Sequence, residues 1–140
     1  MEIVLKGKIK KGVNIASKRI NNCKPVLEKY GLIFPPLFLG TINIQLKDSF
    51  PTPNWPNVVH VACAELDAAD PIRIEGRAYR ECWELIPVIR INDLVVPGYI
   101  YRTTTNYHGD KTIELITENL ATKINLAEGN NITVVVTDGM

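Results

Sequence analysis

Gly40-Thr41-Ile42-Asn43-Ile44-Gln45-Leu46 is the stretch on which the reading of this chain turns. Its apolar residues alternate, so it reads as a β-strand with Ile42, Ile44 and Leu46 on one face. Thr41 and Asn43 then share the other face and set a hydroxyl beside an amide. Two neutral oxygens side by side suit a hydrated cation or a phosphate without adding charge. The same residues also suit an ordinary half-exposed strand. A glycine and the Pro35-Pro36 pair mark the stretch off from what precedes it.

Outward from this strand, most of the chain has the same period of two. Glu2 to Ile9 places Ile3, Leu5, Gly7 and Ile9 on one face and Lys6 and Lys8, with Lys10 beyond, on a wet one. Lys11 to Ser17 reads as a small-residue loop. Ile20 to Leu32 is the clear helical candidate of the first half, with Pro25 in its first turn and Gly31 at its end. Asp48 to Asn57, carrying Pro51, Pro53 and Pro56, is a loop, and Val58 to Cys63 resumes as a strand. Asp67 to Pro71 is turn-like, and Ile72 to Ala78 is extended around Gly76. Cys82 to Ile91 is a long apolar run whose Pro87 implies an edge, a bulge or a strand end. Asn92-Asp93 is a hairpin-type turn, Leu94 to Arg102 a strand distorted by Pro97-Gly98, and Thr112 to Ile116 a further strand. Asn119 to Asn125 suits a short helix before the last strand, Ile132 to Val136. About seven short strands is the arithmetic of a barrel.

Composition narrows the class further. A chain of 140 residues, 46% of them hydrophobic, supports one compact domain spanning residues 1–140. A formal net charge of +1 gives no field for nucleic acid and favours a small ligand over a polymer. A DNA-binding regulator lacks a helix-turn-helix pattern as well. Cys23, Cys63 and Cys82 are odd in number, widely spaced and without a Cys-x-x-Cys pair, which argues against a disulfide scaffold or a zinc ribbon. They read as reduced, mostly buried thiols of a cytoplasmic protein. No apolar run reaches membrane-spanning length, and Met1 to Lys6 lacks the order of a signal peptide.

Neither a P-loop nor a Gly-x-Gly-x-x-Gly dinucleotide turn is present. His60, mid-strand, has no metal-ligand spacing to the cysteines and reads as packed or surface-exposed. His108 closes the hydroxyl-rich run Thr103-Thr104-Thr105-Asn106-Tyr107 that leads to Glu114. That run is either a polar ligand's surround or a solvent loop.

In order, the chain carries Gly7-Lys8-Ile9, the Gly-Thr-Ile-Asn strand, Leu85 to Ile91, Gly98 to Arg102, Tyr107-His108, Ile113-Glu114-Leu115-Ile116, Asn119-Leu120 and Asn125 to Asn130. This succession resembles the archaeal CTP-dependent riboflavin kinases, from Gly7 to about Val136. The resemblance implies a mainly β fold, a small six-stranded cradle-loop (RIFT-like) barrel with one or two short helices. It implies transfer of the terminal phosphoryl group of CTP to riboflavin, giving FMN and CDP, with small-molecule substrates and no nucleic acid or membrane partner. By the same resemblance Thr41 and Asn43 hold a magnesium ion. Glu114 contacts the flavin and either deprotonates or only positions the acceptor hydroxyl. Gly12, Val13, Asn14, Ile15, Ala16 and Ser17, with Asn119, Leu120 and Ala121, border the nucleotide; Thr105, Asn106 and Tyr107 border the flavin.

The departures from the family pattern are specific. The family's nucleotide loop is rich in glycine, whereas here only Gly12 remains before Ile15 and Ala16. Alanine stands near Asn119 where the family has an arginine, with Lys10, Lys11, Lys18 and Arg19 available to substitute in charge. Asn106 stands where a threonine is expected, with Thr105 beside it. A divergent member that phosphorylates another small alcohol, or that only binds a flavin or nucleotide, is the alternative.

Overall fold

The computed structural model describes residues 1–10, 15–32, 41–79, 81–103, 109–117, 120 and 123–140, without the side chains of 15–18, 72–74 and 77–79. Along the chain run β1 (Glu2–Lys10), α1 (Ile15–Asn22), α2 (Lys24–Lys29), β2 (Thr41–Leu46), β3 (Val59–Val61) and α3 (Cys63–Ala69). They are followed by β4 (Ile72–Ile74), β5 (Arg77–Tyr79), β6 (Trp83–Ile91), β7 (Gly98–Thr103), β8 (Thr112–Thr117) and β9 (Asn131–Thr137). Strands β6, β7, β8, β2, β1 and β9 pair antiparallel in that order, and β9 returns to β6. The sheet therefore closes on itself as a six-stranded barrel, which removes its open edges. The mainly β barrel expected from the sequence is present, with three short helices among the described residues rather than one or two.

Strand β6 makes the closure possible by changing partner along its length. Its start pairs with the extra strand β3, at Val61 with Trp83 and Val59 with Leu85, and its end pairs with β9 from Val88 onward. The register shifts between Val88 and Arg90, so of the edge, bulge or strand end that Pro87 left open, the strand has a bulge-like irregularity just beyond it, at the handover between the two neighbours. Gly7 is required for the β1–β2 approach, because a Cβ at that position would press into the Gln45 carbonyl and the Ile44 side chain. Between β4 and β5, Glu75 and Gly76 both have positive φ, 50° and 77°, the pattern of a type I′ hairpin turn.

Alternation divides the apolar residues between two cores. Leu5, Ile9, Ile44, Ile86, Ile100, Ile113, Leu115, Val134 and Val136 fill the barrel lumen. On the outer wall, Trp83, Leu85, Tyr101 and Ile116 pack against Ile20, Cys23, Val26, Leu27 and Leu66 from the helices. Burial of the β1 residues follows the expected faces, with Leu5 and Ile9 inside and Lys6, Lys8 and Lys10 exposed.

Several local expectations are corrected. The loop read over 11–17 ends earlier, because α1 starts at Ile15; Ile15, Ala16 and Ser17 are its first turn, residue types that allow a helix to propagate. The helix expected over Ile20 to Leu32 is two helices broken at Cys23, with Pro25 in the first turn of α2 and Gly31 at φ 79° after its end. The strand from Val58 stops at Val61, and the turn expected over Asp67 to Pro71 is the end of α3. Cys63-Ala64-Glu65-Leu66 are adequate helix formers, and Pro71 stops the helix by disfavouring helical backbone at Asp70. Finally β7 begins at Gly98, not at Leu94, which makes only an isolated bridge to Ile91. Of the helix expected over 119–125, the described part is a turn in which the Lys123 and Ile124 N–H groups donate to the Leu120 carbonyl at 2.8 and 3.0 Å.

Candidate functional site

Strand register builds the site. Lys10 of β1 lies opposite Asn43 of β2, Asn43 opposite Glu114 of β8, Glu114 opposite Tyr101 of β7, and Tyr101 opposite Leu85 of β6. Residues directly opposite on adjacent strands share a face, so these five form one row across the outer wall. The row passes from an exposed ammonium through polar oxygens into the apolar contact with the helices.

Thr41, two residues before Asn43, sits diagonally from Glu114 and donates its hydroxyl to Glu114 Oε1 at 3.4 Å. Asn43 is 8% exposed, and its Oδ1 is buried with no hydrogen-bond donor among the described residues. A buried amide oxygen without a partner forgoes roughly 1–3 kcal/mol, an expense that a bound cation or donor would offset. Two residues further along β2, Thr112 donates to Gln45 Oε1 at 3.1 Å, so the neighbouring polar pair on the same face is satisfied. On this face of β2 the orphaned acceptor is the Asn43 oxygen, not that of Gln45.

The oxygens of Thr41, Asn43 and Glu114 form a hard donor set, the kind that suits magnesium or calcium rather than zinc or copper. Among the described residues no group of three or more His, Cys, Asp or Glu gathers for a metal. One carboxylate with two neutral oxygens fits an ion that keeps most of its waters and meets a phosphate. The sequence suggested a seat without charge, whereas the fold sets Glu114 directly beside it.

At the apolar end, Tyr101 is 3% exposed and meets Trp83 edge to face, with ring centroids 5.1 Å apart. Burial foremost, then the Glu81 and Glu114 carboxylates, push its phenol well above the ordinary tyrosine range. Behind it, Arg19 Nε donates to Glu81 Oε1 at 2.9 Å, and Trp83 Nε1 donates to the same oxygen at 3.1 Å. The Arg19 guanidinium lies 5.6 Å from the Trp83 ring centre, and it also donates to the Asp70 carbonyl and faces the Asp70 carboxylate at 3.4 Å. Arg19 thus ties α1 to α3 and β6, and its charge is already committed to Glu81 and Asp70.

Arg102, the neighbour of Tyr101, points to the other face. It is 5% exposed and stacks 5.6 Å from the Phe50 ring centre, with Nη1 3.4 Å from Thr52 Oγ1 and 3.8 Å from Asp110 Oδ1. Its Nε and Nη2 have no hydrogen-bond acceptor among the described residues, and burial lowers its pKa.

Of the residues singled out in the sequence, Thr41, Asn43 and Glu114 come together. Leu120 is fully buried against the lumen core, a packing position. The backbone of Ile15, Ala16 and Ser17 forms the first turn of α1. Gly12, Val13, Asn14, Thr105, Asn106, Tyr107, Asn119 and Ala121 lie outside the described residues. Sequence reasoning missed Tyr101 and gave Lys10 only a solvated face; the strand register, which no single strand carries, is what joins them to Asn43. His60 is exposed, with Nδ1 3.9 Å from Glu84 Oε2.

No protein-family model matches the chain, and no curated protein matches it either. The class defined by fold and site is therefore architectural: a closed six-stranded antiparallel barrel with a hard-oxygen cluster on its outer wall. Among the described residues no helix is long and apolar enough to cross a membrane.

Proposed function

We propose that the protein is a magnesium-assisted phosphotransferase that moves the terminal phosphoryl group of CTP to the ribityl hydroxyl of riboflavin, giving FMN and CDP. The observation that carries this reading is the buried, unpartnered Asn43 Oδ1 beside Thr41 and Glu114. Asn43 and Thr41 would hold the ion through neutral oxygens. When bound, magnesium neutralises phosphate charge in a reaction that depends mainly on positioning and electrostatics.

Glu114 has the acceptor's role. The Thr41 hydroxyl orients its carboxylate, and the carboxylate takes the proton of the attacking hydroxyl as the new phosphorus–oxygen bond forms and CDP leaves. Thr105, Asn106 and Tyr107 belong to the flavin side of this reading. Gly12 to Ser17, Asn119, Leu120 and Ala121 belong to the nucleotide side. The first turn of α1 supports the nucleotide assignment in a new way: opening helical N–H groups serve a phosphate as a glycine loop does, and α1 has no acidic residue in that turn.

Two observations favour a second reading, a barrel that binds a flavin or nucleotide, or phosphorylates another small alcohol. The chain has replaced the glycines of the family pattern by a helix start at Ile15, and Arg19 is engaged by Glu81 and Asp70. The deciding experiment incubates the protein with riboflavin, magnesium and each of the four nucleoside triphosphates in turn and follows FMN. FMN from CTP, lost in Asn43→Leu and in Glu114→Gln, supports the kinase. A rise in Tm with CTP or riboflavin but no FMN supports the binder. No FMN with any donor and no shift with either ligand overturns the riboflavin kinase and the riboflavin or CTP binder alike.

A further inference from the structure

The barrel brings together two cysteines that the sequence keeps apart. Strands β3 and β6 are in register at Val61 opposite Trp83. Cys63 opens α3 two residues after Val61, and Cys82 immediately precedes Trp83. The chain turns at Ala62, with φ −64° and ψ 138°, and brings Cys63 back toward the entry of β6. The Cys82 thiol consequently lies within hydrogen-bonding reach of both the Cys63 thiol and the Cys63 backbone. Cys63 and Cys82 are both reduced and half-buried, so small solutes reach them, whereas Cys23 is fully buried in the outer-wall core. The site described above uses neither cysteine.

We propose that Cys63 and Cys82 form a dithiol site that a low-molecular-weight disulfide converts reversibly into an intramolecular disulfide. The thiolate of one cysteine attacks a sulfur of the small disulfide RSSR, expelling RS⁻ and leaving a protein–S–S–R mixed disulfide. The second thiolate attacks the protein sulfur of that bond and expels the other RS⁻. The two cysteine protons end on the released RS⁻ groups. Two protein thiols and RSSR thus become one protein disulfide and two RSH, with the protein oxidised and the small disulfide reduced. Burial and the Cys63 thiol raise the pKa of Cys82, opposed by the Cys63 backbone, so exchange quickens toward alkaline pH. The new bond ties the start of α3 to the entry of β6, next to Glu81 and Trp83, and closes residues 63–82 into a loop. Native contacts are already in place, so closure acts mainly on the unfolded chain and stabilises the fold. This inference does not depend on the phosphotransferase reading.

The test is oxidation of the full chain by oxidised glutathione at mildly alkaline pH, followed by intact mass, non-reducing peptide mapping and thermal melting. The expected result is a monomer that has lost two hydrogens and carries a cross-linked Cys63–Cys82 peptide. Its Tm should rise by about 10 °C for a loop of this size, reversibly with reductant. Cys23→Ser should behave as the parent, and Cys63→Ser and Cys82→Ser should show neither the cross-link nor the rise. Both variants exchange half-buried thiols for isosteric hydroxyls, and their reduced-state Tm values check that they fold. Stable glutathione adducts without a cross-link, disulfide-linked dimers, or an oxidised form with unchanged or lowered Tm would each overturn the proposal.

Discussion

The two faces of one barrel wall are built on different physics. The lumen is filled by aliphatic side chains from all six barrel strands, with Ile44, Ile86, Ile100, Ile113 and Leu115 at most 1% exposed. The outer wall buries aromatic residues against helices and threads polar groups through them: Arg19 with Glu81, Trp83 donating to that same carboxylate, Glu114 beside Tyr101. Closing a barrel consumes one side of every strand for packing. Chemistry is left to the side where helices and solvent meet, and there the polar row from Lys10 to Glu114 runs. Substitutions on the two faces should accordingly fail in different ways.

The largest effect is expected in the lumen. Leu115→Ala removes a fully buried side chain from closed strands that relax little, and should cost about 3–4 kcal/mol in denaturant unfolding. A loss under about 1 kcal/mol would mean that the lumen collapses easily around the gap, and the contrast between the faces would fail.

On the outer wall the corresponding break is electrostatic. Glu81→Leu strips the half-buried guanidinium of Arg19 of its shorter carboxylate contact and should cost about 3 kcal/mol, at the low end for a buried pair because Asp70 remains. The double variant Arg19→Met with Glu81→Leu should recover most of that loss, since apolar groups of similar size replace a buried pair at little net cost. If the double variant is no more stable than Glu81→Leu, the pair holds the helices by geometry rather than by charge compensation. Next in size, Gly7→Ala should cost about 2 kcal/mol by forcing β1 away from β2, measured the same way.

Tyr101 sharpens the contrast through pH. Its phenol is neutral in the folded chain and its pKa lies above the ordinary value of about 10. The stability it contributes is complete below that ordinary pKa and declines as pH rises through it toward the folded value. Urea midpoints of the parent should therefore fall above about pH 10, and Tyr101→Phe should fall less steeply. Tyr30 and Tyr99 are shifted in the same direction, so the difference between parent and variant carries the test. Parallel curves would show that Tyr101 is not the group responsible.

How much of this was legible follows from the range of each interaction. The period of two is local, so the Thr41–Leu46 strand and the wet face of β1 could be read directly, whereas Pro87 marked an interruption of β6 without saying which kind. Helix α3 was not, because residues 63–69 bury only Leu66 and show no apolar stripe. Joining Thr41 and Asn43 to Glu114 came from a family resemblance rather than from spacing; the β2–β8 register supplies the physical link. Tyr101, the Arg19–Glu81 pair and the Cys63–Cys82 contact depend on which strands become neighbours after closure. No local pattern encodes that.

The smallest expected change in stability is the most informative for function. Asn43→Leu exchanges an amide whose oxygen is already unpartnered for an apolar group of similar size, so without magnesium it should leave stability unchanged or raise it by about 1 kcal/mol. With magnesium the two proteins should separate. An ion bound to the folded parent raises its Tm by mass action, and the variant, lacking the oxygen, should not respond. An equal response would move the ion away from Asn43. A loss above about 2 kcal/mol without metal would make the amide a structural group whose Nδ2 donor holds the strand pair, and the outer wall would then resemble the lumen in doing nothing but packing.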